Sequence, residues 1–314
     1  KRLTFMRKNI SPQIGLIMHG NSSYNPLVSV IIPNYNHAPF LKERIDSVLH
    51  QTYQNLEVIL LDDASTDNSK TIVEKYRGNE KISHIAYNEV NSGSTFKQWM
   101  KGCTLARGEW IWIAESDDVA EPFFLESLIR NEAASISKIR YSASYVINEN
   151  NEIISEYIVP SNIPEDTVNT SGEEFIQHYL IKENSIPNAS SVIFNRKLLN
   201  SGIFQKLKDF KLNGDWMFWI LLSMQSNIYY CATPLNKFRV HSQNVRNKES
   251  TNALLEYIKV AQFLDSIGYS AEVSDRLRYI FNNQKLRLEE KRKIVFFFIK
   301  RKHFKHLIKL FANR

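Results

Sequence analysis

The sequence predicts an α/β protein: a Rossmann-like, mostly parallel central sheet with helices on both faces, followed by a helical C-terminal extension. Three observations carry this. Four short runs, Leu27–Ile32, Leu56–Leu61, Ile82–Tyr87 and Trp110–Ala114, read as strands, the first and last of them apolar enough to be buried. Between them lie segments of helical spacing, and strands alternating with helices at this interval imply right-handed crossovers. Three of the runs also end in polar clusters: Pro33-Asn34-Tyr35-Asn36, Asp62-Asp63-Ala-Ser-Thr-Asp67 and Glu115-Ser116-Asp117-Asp118. In open α/β sheets the C-terminal edge of the strands is where ligands bind.

In chain order, residues 1–25 form a linker-like extension ending in Gly20-Asn-Ser-Ser-Tyr-Asn-Pro26. The first strand stops at Pro33, and Phe40–His50 follows as a helix with Leu41, Ile45, Val48 and Leu49 on one face. Asn68–Tyr76 and Thr95–Leu105 are the second and third helices. After Asp118 the pattern changes. A helix starts near Pro122, with helical spacing over Glu126–Ala134, then Ile139–Ile147 and Glu152–Val159 read as a hairpin across Asn148–Asn151. Ser161–Thr170 is a polar loop, and Ser171 with Glu174 forms a capping box. A short strand at Ser190–Asn195, an apolar helix at Gly214–Met224 led by Asp215 and a strand at Ile228–Ala232 complete this half. From Thr251 onward the spacing is helical throughout. The expected units are therefore 26–241, divided at 118/119, and a basic helical extension over 242–314.

Apolar content of 43% and charged content of 23% belong to an ordinary globular protein that buries a core. Cys103 and Cys231 are too few for a disulfide framework and fit a reducing compartment. No apolar run approaches membrane-spanning length. Residue 1 is Lys rather than Met, and whether the chain is a piece of a longer protein is left open. The net charge of +7 is concentrated at the end, from Lys291 to Arg314. A basic balance raises nucleic acid, anionic membranes and phosphorylated substrates as partners. No nucleic-acid motif accompanies it, and no nucleic-acid partner is expected.

The acidic turn after Trp110–Ala114 has two readings. Adjacent carboxylates repel, so a cation shared with phosphate oxygens is one way to keep them ionised. A turn in which Asp117 or Asp118 caps the next helix is the other. On the same edge, Tyr35 can stack on a base, and Asp63 can accept from a base N–H or a ribose hydroxyl. A packed loop aromatic competes for Tyr35, and a helix N-cap for Asp67. There is neither a G-x-G-x-x-G after the first strand nor a G-x-x-x-x-G-K-[ST] anywhere, which argues against dinucleotide dehydrogenases and P-loop hydrolases.

Together, Val28-Ser-Val-Ile-Ile-Pro-Asn-Tyr-Asn, Ser47-Val-Leu-His-Gln-Thr-Tyr, Val58-Ile-Leu-Leu-Asp-Asp-Ala-Ser-Thr-Asp-Asn-Ser, Asn91-Ser-Gly and Ala106-Arg-Gly-Glu-Trp-Ile-Trp-Ile-Ala-Glu-Ser-Asp-Asp resemble a family 2 glycosyltransferase of the GT-A fold. The resemblance runs from about Pro26 to His241. It implies inverting transfer of a sugar from a nucleotide-sugar, with uridine diphosphate the expected carrier and Mn2+ or Mg2+ the expected cofactor. The acceptor would be a glycan, lipid-linked or protein-linked hydroxyl in polysaccharide or glycan biosynthesis.

By the same resemblance, Pro33, Tyr35, Asn36 and Asp63 would hold the base and ribose, with Asp117 nearer the ribose. Asp118 would be the metal ligand. Glu115 stands where relatives often have Asp, so its contact with the metal is left open. Asp215 would be the general base, since inversion needs a carboxylate on the acceptor oxygen opposite the leaving diphosphate; an N-cap is its alternative. His241 would be a metal ligand or phosphate donor, against a solvated loop histidine. Arg239 would pair with the diphosphate. Asn91 and Gly93 would approach the nucleotide-sugar closely, and Lys97 would reach the phosphates unless simply solvated. Asn188-Ala-Ser-Ser191 would lie beside the donor sugar, and Trp216 and Trp219 would line a pocket or pack in the core.

Sequons at Asn21, Asn169 and Asn188 read as chance matches. The segment Ile294–Ile299 with its basic flanks reads either as a helix on an anionic membrane surface or as one packed on the domain or a second copy. The expected location is the cytoplasm, with the inner face of the cell membrane as the alternative that a membrane-lying helix would bring. Two rival functions stay in view: a nucleotidyltransferase, though Pro33–Pro39 lacks the usual Gly-rich basic loop, and a non-catalytic scaffold, against which Asp118 and Asp215 together argue.

Overall fold

The computed structural model describes residues 24–157, 168–186, 188–241, 250–283 and 288–300. The extension before Tyr24 with its Asn21 sequon, most of the polar loop before Val168, and the basic residues after Lys300 lie outside the described residues.

The first half alternates as expected: β1 Val28–Asn34, α1 Ala38–Leu49, β2 Leu56–Asp62, α2 Ser69–Glu74, β3 Ile82–Tyr87, α3 Thr95–Leu105 and β4 Trp110–Ile113. Strands β3, β2, β1 and β4 lie side by side and all parallel. Alternation along each strand splits the core in two. Val28, Val30, Ile32, Val58, Leu60, Trp110 and Trp112 face α1, while Ile31, Ile59, Leu61, Ile111 and Ile113 face α3. Gly108, ahead of β4, sits against β1: a Cβ there would come within 2.6 Å of Ser29 N and 2.7 Å of Leu27 O. Only glycine allows that approach.

The second half adds β5 Val119–Ala120, α4 Phe124–Ile129, β6 Ser137–Ile147, β7 Ile153–Tyr157 and β8 Val168–Thr170. Then come α5 Gly172–Phe175, β9 Val192–Asn195, α6 Ser201–Leu207, α7 Gly214–Ser223 and β10 Asn227–Arg239. The β6–β7 hairpin and the Ser171–Glu174 capping box are both present. Strand β9 pairs antiparallel with β4 and β6, and β10 runs parallel to β6. Two reversals restore direction, so β6 and β10 end on the same edge as β4. That topology carries the residues after β10 to the acidic turn.

Strand β10 is longer than the sequence suggests, continuing through Thr233–Arg239. Pro234 reads as a breaker, yet it sits where the pairing with β6 shifts register, a bulge that tolerates its missing N–H.

Helices α8 Ser250–Ser266, α9 Ser270–Asn283 and α10 Leu288–Lys300 follow. Ile258, Leu264, Leu277, Ile294 and Phe298 join the same core as α3 and α7. These three helices are thus packed on the α7 side of the sheet. No helix among the described residues is long and apolar enough to cross a membrane.

Candidate functional site

The loops after β1 and β2 are laced together. Asn34 Nδ2 donates to Asp62 Oδ2 at 2.8 Å and to Ser65 Oγ at 3.1 Å. Asn36 donates its N–H to Ser65 Oγ and accepts from Thr66 N on Oδ1. Asn36 (φ 56°) and Ala64 (φ 60°) are both left-handed. For alanine that conformation is costly, and such strain persists where surrounding contacts enforce it, commonly at functional sites. Pro33 is buried within β1, whereas Tyr35 is 45% exposed and its ring is open to stacking. Asp67 accepts from Ser69 N and from Ala38 N, so one carboxylate serves the first turns of two helices.

Asp63 is a buried hub. Its Oδ1 accepts from Asn88 Nδ2 at 2.6 Å, Ser92 N at 2.9 Å and Gln98 Nε2 at 2.8 Å, and its Oδ2 from Ser92 Oγ at 2.7 Å. Asn91 Nδ2 donates to the Asp63 carbonyl, and Gly93 (φ +73°) donates its N–H to Asn91 Oδ1. The expected residues Asp63, Asn91 and Gly93 therefore form one structure. Lys97 is exposed and its Nζ donates to Ser92 O at 2.8 Å. Ser94 Oγ donates to Phe210 O, and a Cβ on Gly214 would touch Phe96 at 2.6 Å. These contacts join the Asp63 loop to the N-terminus of α7, which carries Asp215.

The acidic turn gives its two aspartates different surroundings. Asp118 is buried and held by protein donors: Ser190 Oγ at 2.6 Å and Asn188 Nδ2 at 2.8 Å on Oδ2, and Arg239 N at 2.9 Å on Oδ1. Burial and the neighbouring Asp117 charge push its pKa up. Asp117 keeps 14% of its side chain exposed and places Oδ2 3.0 Å from His241 Nε2. Burial opposes its ionisation, but His241 and His37 outweigh that and hold it below the ordinary carboxylate range.

His37, Asp117 and His241 form a cluster whose candidate ligand atoms all lie within 4.8 Å of one another. His37 Nδ1 is 2.8 Å from Ser116 Oγ, and its ring meets His241 edge-on at 5.4 Å. Burial pushes the His37 pKa down, against the pull of Asp117, a shift toward the neutral imidazole that metal ligation uses. Two imidazoles and a carboxylate are a chemically sound donor set for a divalent transition-metal ion.

Two buried arginines brace this turn. Arg239 donates from Nε to Asp117 O at 2.7 Å, from NH1 to Asn148 O at 3.1 Å and from NH2 to Glu43 Oε2 at 2.8 Å, with Phe40 under its guanidinium. Expected to face a diphosphate, it is fully buried instead. Arg44 donates from Nε to Glu115 O at 2.8 Å and places NH2 3.9 Å from Asp118 Oδ2. Burial lowers its pKa to about 10, so it stays charged at neutral pH. Glu115 accepts from Trp99 Nε1 at 2.7 Å; burial, with Asp117 adding to it, raises its pKa to about 8.

Asp215 lies in the first turn of α7 behind Asn213, the N-cap residue. It is 8% exposed, accepts from Asn184 Nδ2 at 2.9 Å on Oδ2 and from Trp216 N on Oδ1. Glu256, from α8, accepts from the N–H groups of Lys211, Leu212 and Asn213 at 2.7–2.8 Å and so fixes the turn that opens α7. Trp216 is core, with Nε1 on Leu180 O and its ring against Tyr257; Trp219 is buried beside Trp99 and Phe218. The Asn188 amide nitrogen is occupied by Asp118, and that of Asn169 by Ala133 O, in keeping with chance sequons.

Sequence reasoning missed His37, Arg44 and Glu256. His37 directly follows the Pro33–Asn36 cluster on the ligand edge, which was a signal. Arg44 falls on the Leu41–Ile45–Val48 stripe, where a charge needs a buried partner. Glu256 gave none, because its partners lie more than forty residues away.

The model of the family described as "Glycosyl transferase family 2" matches residues 29–201. A glycosyltransferase named GlyG from Streptococcus pneumoniae is 38% identical over 102 residues, 32% of this chain and 34% of that protein, so the match spans about a third of the relative. An uncharacterized glycosyltransferase, RP339 of Rickettsia prowazekii, is 30% identical over 244 residues, 74% of this chain and 70% of the relative. Among solved structures, S. aureus TarS 1-349 in complex with UDP-GlcNAc superposes with a TM-score of 0.62 at 18% identity, covering 86% of this chain and 79% of that one. With the family model spanning more than half of its length, this chain belongs to glycosyl transferase family 2 and is a glycosyltransferase of the GT-A fold.

Proposed function

We propose that the protein transfers a sugar from a uridine-diphosphate sugar to an acceptor hydroxyl with inversion, in the assembly of a surface polysaccharide or glycan. The observation that carries this is the His37–Asp117–His241 cluster, at the strand edge that also bears Tyr35 and Asp63. TarS, of like fold, has been solved with UDP-GlcNAc, which supports a UDP-linked donor.

In this reading Tyr35 stacks on the uracil, and Asp63 and Asn36 shape its cradle with Pro33 behind them. Asp117 and His241, with His37, hold the cation; Asp118 holds the turn instead of the metal. The imidazole content favours Mn2+ over Mg2+, which prefers all-oxygen surroundings. Bound there, the cation supplies charge stabilisation for the departing diphosphate. Gly93 and Lys97 border the phosphates. Asp215 takes the proton from the acceptor oxygen as that oxygen attacks the anomeric carbon from the face opposite the diphosphate. Asn184, on Asp215 Oδ2, orients that carboxylate.

A donor screen with Mn2+ tests the reading, wild type beside Asp215→Asn. The expected result is one active donor, with turnover lost in the variant and nucleotide binding kept. Absence of nucleotide binding in the wild type would sink it. Given a nucleoside triphosphate and a sugar phosphate instead, the nucleotidyltransferase rival would form a nucleotide-sugar and release pyrophosphate.

A further inference from the structure

Helix α10 turns two unlike faces outward and inward. Glu290, Ile294, Phe297 and Phe298 are buried against the core shared with α8 and α9. On the opposite side Leu288 is 67% exposed, Phe296 62% and Ile299 48%, with Arg292 also exposed. At 100° per residue these four occupy an arc of about 80°. Single exposed apolar residues are ordinary; three large ones aligned along a helix make a surface.

Charge says what that surface meets. Nine of the 40 basic residues and none of the 33 acidic ones fall in Lys291–Arg314, leaving 31 basic against 33 acidic elsewhere. The whole positive excess therefore sits in the segment that begins at this stripe. Lys291 and Lys293 flank it on either side, each about 60° away by the same geometry. Of the two acids on α10, Glu290 is buried and the exposed Glu289 is paired with Lys293 at 2.7 Å. The sequence after Lys300 continues with Phe304, Leu307, Ile308, Leu310 and Phe311 among Arg301, Lys302, Lys305 and Lys309.

We propose that the exposed face of α10 docks the protein on an anionic lipid surface, with Leu288, Phe296 and Ile299 entering the interface and the cations among the headgroups. A helix of this kind lies in the plane of the membrane, its lysine stems reaching sideways to the phosphates. Each cation held near such a surface adds about 1 kcal/mol, a roughly fivefold gain in partitioning. A second copy of the chain is the poorer occupant. Pairing two α10 faces would bring like charges together, and three side chains fall far short of the ~800 Å² per partner of a stable interface. The surface is separate from the sugar-transfer site, so this inference stands or falls without it.

The test is flotation of the full chain with vesicles of phosphatidylcholine alone and of equimolar phosphatidylcholine and phosphatidylglycerol. The protein should float with the anionic vesicles only and be released by high salt. Because Phe296 and Ile299 are exposed, the Phe296→Ser/Ile299→Ser variant should keep its Tm while partitioning falls at least about tenfold, the contribution of one large apolar side chain. Arg292→Glu should also weaken binding, and more so at low salt. No binding to anionic vesicles, or binding that the double variant leaves unchanged, overturns the proposal. A lipid-free dimer that the double variant dissolves overturns it as well, in favour of a self-interface.

Discussion

The guanidinium of Arg239 donates to the main-chain carbonyl of Asp117 at 2.7 Å, while the Arg239 N–H donates to Asp118 Oδ1 at 2.9 Å. One residue at the end of β10 therefore fixes both the path of the acidic turn and its distance from His241, two positions further on. Removing that brace leaves the carbonyls of Asp117 and Asn148 without their charged donor, which costs about 3 kcal/mol. Arg239→Met should lower the unfolding free energy by roughly that much in denaturant titration. Arg239→Lys should recover only part, because a single ammonium cannot serve Asp117, Asn148 and Glu43 together. A variant as stable as the wild type would remove the bracing role.

The two aspartates should separate experimentally. In the proposed site Asp117→Asn and His241→Ala abolish the rise in Tm given by Mn2+ with a nucleoside diphosphate. Asp118→Asn should lower the Tm without ligand, because it disturbs the three donors on that carboxylate, yet keep a clear metal-dependent rise. The reverse pattern would return the metal to Asp118.

Glu115 gives a pH dependence with a definite sign. Its folded pKa, about 8, lies above its ordinary value of 4.5. Its stabilising contribution is therefore full below about pH 4.5 and is lost as pH rises through 8. In the metal-free protein Glu115→Gln should flatten the fall of Tm between pH 5 and 8, since the amide oxygen still accepts from Trp99. An unaltered pH profile would show that another group sets it.

Glu256 links the C-terminal helices to the proposed base. Its carboxylate holds the three N–H groups ahead of α7, so Glu256→Ala should cost about 2–4 kcal/mol of stability. Under the proposed mechanism Glu256→Gln, which retains one acceptor oxygen, should lower kcat while nucleotide affinity holds. Equal loss of both would mean a general structural role.

By itself the sequence determined the parallel half of the sheet, element by element, and the edge on which Tyr35, Asp63 and Asp117 gather. Ile82–Tyr87 and Thr95–Leu105 were legible to the residue because strand and helix periods are written in local spacing, even though β3, at the sheet edge, is only half-buried and carries Ser83 and His84. Only the tertiary structure decided that β10 continues past Pro234, since a bulge depends on the partner strand β6. It also decided that Arg239 braces a turn and that Trp216 is core. Asp117 and Asp118 are neighbours of the same residue type, and nothing local distinguishes them. Their difference comes from Asn188, Ser190, Arg239 and His241, residues 70 to 124 positions away that folding brings to one side or the other of the turn.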